Sequence, residues 1–482
     1  MRKAELVFIP LPAISHLVSA VQVAKLIVDL NPDFSITVLT VKPPYDANVS
    51  AYVDSLTATT STTSRIKFIS LSKSDPGVGI LKFWGNLVQT LGPLVKEVVT
   101  NIVEHSNSVS DSPRLVGFVL DACLTFLVVD LANEFGVPSY AFYTSGAGSL
   151  GMHVFAQALH DEQKVEFSEL KGSETEFPIP SYVNPVSIKL FPTLLLNPES
   201  FTFFLNLIKG IREVKGIMVN TFSELEPHAV AALSNGQFQI PPVYPVGPIL
   251  NLEGSNKIHQ NYDTIMQWLD EQPRSSVVFL CFGSMGSFGA DQVKEIAYGL
   301  EQSGHRFLWS LRRPAEQVKD MMFNVNDHEN VAEVLPEGFL DRTAEVGKVI
   351  GWAPQVAILG HPATGGFMSH CGWNSTLESI WFGVPMAAWP LYAEQQLNAM
   401  TLVKELRLAV EIKMDYKIDD GEVEIIKAEE IERRIRCLMG HDSNVRRRMK
   451  EMSEQCRKAL MDGGSSYTML CRFVNDIINN MP

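Results

Sequence analysis

Residues 352–395 read WAPQVAILGHPATGGFMSHCGWNSTLESIWFGVPMAAWPLYAEQ, and the way apolar and polar segments alternate inside this stretch decides the fold. Gly365 to His370 reads as a short buried strand, Cys371 to Ser375 turns the chain, and Thr376 to Phe382 keeps helical spacing until Gly383 stops it. The apolar run Lys348 to Ile350 and the segment Met386 to Trp389 add a strand on either side. Asn374 and Ser375 are cap-type residues at the helix start, where backbone N–H groups point outwards. Such a start favours negative charge, and a residue as small as Gly372 lets a phosphate approach the backbone, with His370 beside the same point.

The neighbouring polar residues ask for more than a phosphate. Glu378 follows Asn374 by one helical turn, on the same face, so its carboxylate can accept hydrogen bonds from a ribose. Trp352 and Gln355 follow a strand and offer a flat ring to stack on a base and an amide to meet its edge, although a tryptophan taken alone is more often a core residue. Glu394 and Gln395 stand between a strand and a helix and suit sugar hydroxyls, or equally a solvated helix start. Upstream, Gly283-Ser284-Met285-Gly286 ends the strand Ser276 to Phe282. It spells neither G-x-G-x-x-G nor a P-loop, which weakens the dehydrogenase and P-loop readings and leaves Ser284 as a donor to diphosphate or sugar, or a plain turn former.

The same alternation runs through the first half. Leu6 to Pro10, Ser35 to Val41, Arg65 to Leu71, Leu115 to Leu120 and Ser139 to Tyr143 read as buried strands, and His16 to Asp29 and 125–135 as helices. Strands alternating with helices predict right-handed βαβ units and a doubly wound parallel sheet. The polar run 48–64 reads as a surface loop, and 312–334 as a long polar loop. Ligands of such sheets bind beyond the strand carboxyl ends, and His16, Asp121 and Thr144 each sit just past one. An imidazole titrates near ~6.5 and can take a proton from a hydroxyl, while a carboxylate on its other nitrogen fixes the tautomer. Taken singly, the two are a surface histidine and a turn-forming aspartate.

At 482 residues the chain is too long for one core. We expect a first domain at 1–248, a linker at 249–260, a second domain at 261–460 and a terminal helix at 461–482. Apolar residues make up 46% and charged residues 20%, a globular composition, and the net charge of −14 disfavours nucleic acid or an anionic membrane as partner. Six cysteines without C-x-x-C spacing, no signal-peptide core and no long apolar run point to a reduced, cytoplasmic protein without an integral membrane segment. No Asp-x-Asp or H-E-x-x-H pattern suggests a built-in metal site.

From WAPQ through HCGWNS to the closing EQ, the 44-residue stretch resembles the signature of the plant secondary-product UDP-glycosyltransferases, which move a sugar from a UDP-sugar to small lipophilic acceptors. The resemblance implies two Rossmann-like doubly wound domains facing across a cleft, the GT-B arrangement, with the last helix returning to the first domain. It implies that Trp352 stacks on uracil with Gln355 and the backbone of Ala353 at its edge. His370, Asn374, Ser375 and the backbone of Trp373 would hold the diphosphate, Glu378 the ribose, and Glu394 with Gln395 the sugar; Gln395 resembles the glucose-using members. His16 matches the family's catalytic base and Asp121 its partner, although the usual Gly-His of that loop is Ser15-His16 here. We add Thr144 and Ser284 to the donor site, and assign the acceptor pocket to His16, Ser15, Trp84 and Ala393, noting that aromatics such as Phe83, Trp84, Phe203 and Phe204 equally suit a core. The expectation is a monomeric, metal-independent, inverting transfer of glucose from UDP-glucose to a flavonoid or other phenolic, giving a β-glucoside. Its alternatives are a UDP-sugar epimerase and a non-catalytic nucleotide-sugar sensor.

Overall fold

A computed structural model describes residues 3–481 apart from 45, 60–63, 72–79, 253–260, 313–332, 419–423 and 442; the side chains of 59, 80–86 and 88 also lie outside the description. By contact the chain divides into two units, one comprising residues 1–165, 199–251 and 458–482, the other 166–198 and 252–457. The division is not continuous along the chain. Residues 166–198, which the sequence reading placed within the first domain, group with the second unit, where Val183 N–H donates to Glu405 at 2.9 Å.

Unit 1 is built on strands β1 (Ala4–Ile9), β2 (Phe34–Thr40), β3 (Ile66–Ser70), β4 (Arg114–Asp121) and β5 (Ser139–Tyr143). The short antiparallel pair β6 (Glu176–Phe177) and β7 (Val186–Ser187) falls in the segment that belongs to unit 2. Strands β8 (Ile217–Val219) and β9 (Val243–Pro245) complete a parallel seven-stranded sheet in the order β3-β2-β1-β4-β5-β8-β9. Both faces of that sheet are covered, which is why β1 is buried at every residue. Leu6 and Phe8 pack with the helix Ile14–Leu30 and with Leu470, Phe473 and Ile477 of the terminal helix Ser465–Asn479, while Val7 and Ile9 face the opposite core with Phe118 and Val128. The terminal helix is pinned further by Tyr244 Oη donating to Asp476 at 2.6 Å.

Unit 2 carries β10 (Val277–Cys281), β11 (Arg306–Ser310), β12 (Gly347–Ile350), β13 (Thr364–Ser369), β14 (Met386–Ala388) and β15 (Ala409–Glu411), all parallel, in the order β12-β11-β10-β13-β14-β15. In each sheet the strand order reverses at one place, between β1 and β4 and between β10 and β13. There the connections leave to opposite sides and open a crevice at the carboxyl ends, the usual ligand position of such sheets. The registers Ile9↔Leu120 and Cys281↔Ser369 bring the two strand ends level at each reversal.

One expectation is overturned. Much of the polar run 48–64 is the helix Ala47–Thr59, not a loop. Val49 and Val53, four residues apart, are fully buried with Leu17 and Val21, and Tyr52 and Leu56 extend the same apolar stripe at helical spacing on a helix whose other residues are small or polar. Among the described residues no helix is long and apolar enough to cross a membrane, and all six cysteines are free. Most of the expected 312–334 loop and of the 249–260 linker lies outside the described residues.

Candidate active site

At the reversal in unit 1, His16 lies in the first turn of the helix that follows β1, and Asp121 closes β4. His16 Nδ1 is 2.7 Å from Asp121 Oδ2, and the carboxylate is buried at 4% exposure. The other oxygen, Oδ1, accepts the Cys123 N–H at 3.0 Å, capping the short turn Ala122–Leu124 and fixing the carboxylate plane. A carboxylate can only accept, so Nδ1 carries the proton and Nε2 presents a lone pair. The Thr144 hydroxyl, just past β5, stands 3.2 Å from the same Nδ1. Thr144 therefore touches the imidazole, although the sequence reading gave it to the donor. Its loop is anchored below, where the buried Glu226 carboxylate accepts the N–H groups of Ala147 and Gly148 at 2.8 Å each.

Ser15 is exposed beside His16, and its carbonyl accepts the Ser19 hydroxyl at 2.9 Å. Phe204 is fully buried and stacks on Phe201, a core role, while the partly exposed Phe203 meets Phe126 edge-on. The side chains of Phe83 and Trp84 lie outside the described residues.

At the reversal in unit 2, His370 follows β13 and opens the turn to the helix Trp373–Phe382. The helix starts earlier than the cap-type residues suggest: Gly372 is the cap, without a side-chain hydrogen bond, and Asn374 and Ser375 lie inside the first turn. The chain can enter at once because Cys371 takes a left-handed conformation, φ 61°, and its carbonyl is held by Asn398 Nδ2 at 3.0 Å. The structure adds a steric reason for a glycine at 372. A Cβ built at Gly283 would lie 2.6 Å from His370 Nε2, and one at Gly372 closer still, so two backbones pinch the ring edge and only glycine fits at either place. Burial pushes the His370 pKa down to about 4, so the ring is neutral near pH 7, and its buried Nδ1 has no hydrogen-bond partner.

Along the same helix, Gln355 Nε2 donates to Ser375 Oγ at 2.9 Å and to Glu378 Oε2 at 2.7 Å. Three residues that the sequence reading gave to base, phosphate and ribose thus form one bonded group. Burial is the larger influence on Glu378 and raises its pKa to about 7, with the Gln355 hydrogen bond opposing. Trp352 and Ala353 are partly exposed just past β12, Trp373 is buried at 6% exposure, and Asn374 is partly exposed. Gln395 is buried, and its Oε1 accepts the N–H groups of Leu391 and Tyr392 at 2.9 and 3.0 Å. Glu394 caps the helix Gln395–Met400, Ala393 is exposed with φ 56°, and Ser284 is exposed in the turn after β10.

Sequence reasoning missed Tyr392, whose ring centroid is 6.4 Å from that of His370 and whose hydroxyl burial pushes up to about 12. It also missed Asn398 and Arg312, and it named the Gly283 turn without its contact to His370. A search of every strand carboxyl end, with no motif in hand, would have flagged Arg312; nothing local marks Asn398.

Two parallel α/β sheets, one with a His–Asp pair and the other with a glycine-capped helix start at the points where strand order reverses, fit the GT-B class of glycosyltransferases. Comparison with known proteins narrows the class. The profile of the family described as UDP-glucoronosyl and UDP-glucosyl transferase matches residues 220–416. The chain is 53% identical to UDP-glycosyltransferase 71A15 of Malus domestica, over 99% of this chain and 100% of that protein. It is 52% identical to UDP-glucose flavonoid 3-O-glucosyltransferase 6 of Fragaria ananassa, over 99% of both. Among solved structures, a UGT transferase from Siraitia grosvenorii in complex with UDP superimposes with a TM-score of 0.87 at 46% identity, covering 99% of this chain and 100% of that one. Medicago truncatula UGT71G1 complexed with UDP-glucose gives 0.85 at 39% identity, covering 98% of each. The chain belongs to the plant UDP-glycosyltransferase family and is an enzyme of glycosyl transfer, which sets aside the epimerase and the silent sensor.

Proposed function

We propose that the enzyme transfers glucose from UDP-glucose to a hydroxyl of a flavonoid or other small phenolic, with inversion and without a metal ion. The observation that carries this reading is the 2.7 Å bond between His16 Nδ1 and a buried Asp121. In the proposed step, His16 Nε2 takes the acceptor proton as the acceptor oxygen bonds to the anomeric carbon. The bond from that carbon to the phosphate oxygen breaks, its electron pair leaves with UDP, and an α-linked donor gives a β-glucoside. Asp121 stays ionised and stabilises the imidazolium. Donor binding is assigned to Trp352 and Ala353 at the uracil, to Gln355 at its edge, and to Glu378 at the ribose. The N–H groups of Trp373 to Ser375, with His370, take the diphosphate, and Ser284, Glu394 and the Gln395 amide take diphosphate or sugar. Relatives whose names specify flavonoid and anthocyanidin 3-O-glucosyl transfer support the acceptor class. We also propose a monomer acting in the cytoplasm, in keeping with six free cysteines.

The test is incubation with UDP-glucose and a panel of phenolic aglycones, with products read by mass spectrometry and the anomeric configuration by NMR. His16→Ala should nearly abolish transfer while UDP still binds, and excess EDTA should change nothing. Full turnover by His16→Ala, or an α-glucoside product, would refute the mechanism.

A further inference from the structure

The donor site as described lacks a full positive charge. His370 is neutral near pH 7, and a helix start supplies only about half an elementary charge. The protein as a whole carries −14 and repels an anionic donor. A departing nucleoside diphosphate concentrates new charge on its terminal phosphate, where a fixed cation is worth most.

One guanidinium stands where that charge is needed. Leu311 prolongs β11 by donating its N–H to Ile350 at 2.9 Å, and Arg312 comes next. Leu280 pairs with Trp309 at the end of the ladder, so Arg312 follows β11 on the side where Gly283, the residue whose missing Cβ makes room for His370, follows the neighbouring β10. Arg312 Nη1 donates to the Ser284 carbonyl at 3.0 Å, in that same turn. Its charge is also felt by the Tyr392 hydroxyl and the Cys281 thiol, which it draws downward against the effect of burial. Tyr392 in turn stands 6.4 Å from the His370 ring. Strand register, the Ser284 contact and the reach to Tyr392 therefore all converge on the mouth of the His370 turn. Among the described residues no carboxylate pairs with Arg312, and its one hydrogen bond uses a single donor of the guanidinium's five.

We propose that Arg312 binds the diphosphate of the sugar nucleotide, donating to a phosphate oxygen and supplying the fixed positive charge for the leaving UDP. The inference rests on the assignment of the His370 turn to the diphosphate. It makes Arg312 a binding residue of the transfer reaction, acting where the helix start and a neutral imidazole fall short.

The test uses the full-length enzyme and three titrations by calorimetry, with uridine, UMP and UDP, on wild type, Arg312→Lys and Arg312→Gln. The glutamine variant keeps a donor for the Ser284 carbonyl and loses the charge; the lysine variant keeps the charge. Charge-assisted hydrogen bonds of this kind predict a loss of about 10- to 100-fold in UDP affinity for Arg312→Gln, with uridine unchanged and a weaker dependence of UDP binding on salt. Arg312→Lys should recover part of the loss, and kcat should fall with Arg312→Gln beyond any change in KM. UDP affinity unchanged in Arg312→Gln would overturn the proposal. So would an equal loss for uridine and UDP, which would make Arg312 a prop for the Ser284 turn. A wild-type enzyme that bound uridine as tightly as UDP would instead overturn the diphosphate assignment beneath it.

Discussion

Replacing Gly372 by alanine tests whether the glycines at this turn serve the histidine. Gly372 has φ −58° and ψ 141°, ordinary values for alanine, so the substitution adds no backbone strain and its effect is steric alone. The new Cβ would meet His370 first, with Cε1 at 3.1 Å, Cδ2 at 3.2 Å and Nε2 nearer than either. Ordinary contact needs about 3.5 Å or more, so the ring edge must retreat by about an ångström. The ring has little room to retreat, because it is itself buried at 6% exposure and a second backbone, at Gly283, stands against the same edge. Overpacking of this kind costs about 1–3 kcal/mol of stability. On the proposed assignment of His370 to the diphosphate, an imidazole displaced by that distance loses its hydrogen bond to a phosphate, about 1.5–3 kcal/mol for a bond to a charged group, or roughly a 10- to 150-fold weaker affinity for UDP. Uridine affinity should stay, because Trp352, Gln355 and Glu378 are untouched. Calorimetric titration with both ligands measures this, and a double-mutant cycle makes it decisive. If the methyl acts through the ring, then on a His370→Ala background Gly372→Ala should cost almost nothing further in UDP affinity. Additive losses would refute the reasoning, as would a single variant that binds UDP like wild type.

Three further outcomes follow from the same geometry. Asp121→Asn preserves shape but no longer holds the Nδ1 proton as an ionised acceptor, so kcat should fall about 10²- to 10⁴-fold with UDP affinity unchanged, checked by steady-state kinetics beside a UDP titration. Burial holds His370 and His153 at about 4, below the usual 6.5; the unfolded chain therefore takes up protons first, and stability present above about pH 6.5 is lost as pH falls toward 4, by at most about 3 kcal/mol for each ring. Urea midpoints between pH 7.5 and 5 should drop accordingly, and His153→Gln should flatten the slope. Glu378 has the opposite sign: its pKa is raised from 4.5 to about 7, so the folded state keeps a proton that the unfolded chain gives up, and stability is lost as pH rises through that window. Glu378→Gln should then raise the unliganded melting temperature at pH 8 while leaving it little changed at pH 5, and should weaken UDP binding; a uniform shift at both pH values would count against it.

What the chain discloses about itself depends on whether the physics is local. Strands such as β1 and β10, buried on both faces, announce themselves as apolar runs, and the turn at residues 370–375 is legible because strand end, turn and helix start are contiguous. The helix Ala47–Thr59 escaped because its stripe of Val49, Tyr52, Val53 and Leu56 is diluted by the Ser, Thr and Ala around it, and its packing partners Leu17 and Val21 lie on another helix. Gly372 was read as a place where bulk is forbidden, and the structure adds a neighbour the reading did not foresee, the His370 ring edge. The pinch on His370 comes from Gly283, which lies 87 positions upstream and is brought level only by the β10–β13 register. His16 and Asp121 show the same dependence: each strand end can be read from sequence, but their 2.7 Å contact exists because β1 and β4 are neighbours across the reversal of strand order. Arg312 was overlooked for a related reason, since a lone arginine past a strand signifies nothing until β11 is known to lie beside β10. In a doubly wound sheet, then, the informative positions are the first few residues past each strand on either side of the reversal. Chemistry-bearing side chains there meet whatever their separation in sequence, which is how two short stretches 105 positions apart make one hydrogen-bonded His–Asp pair.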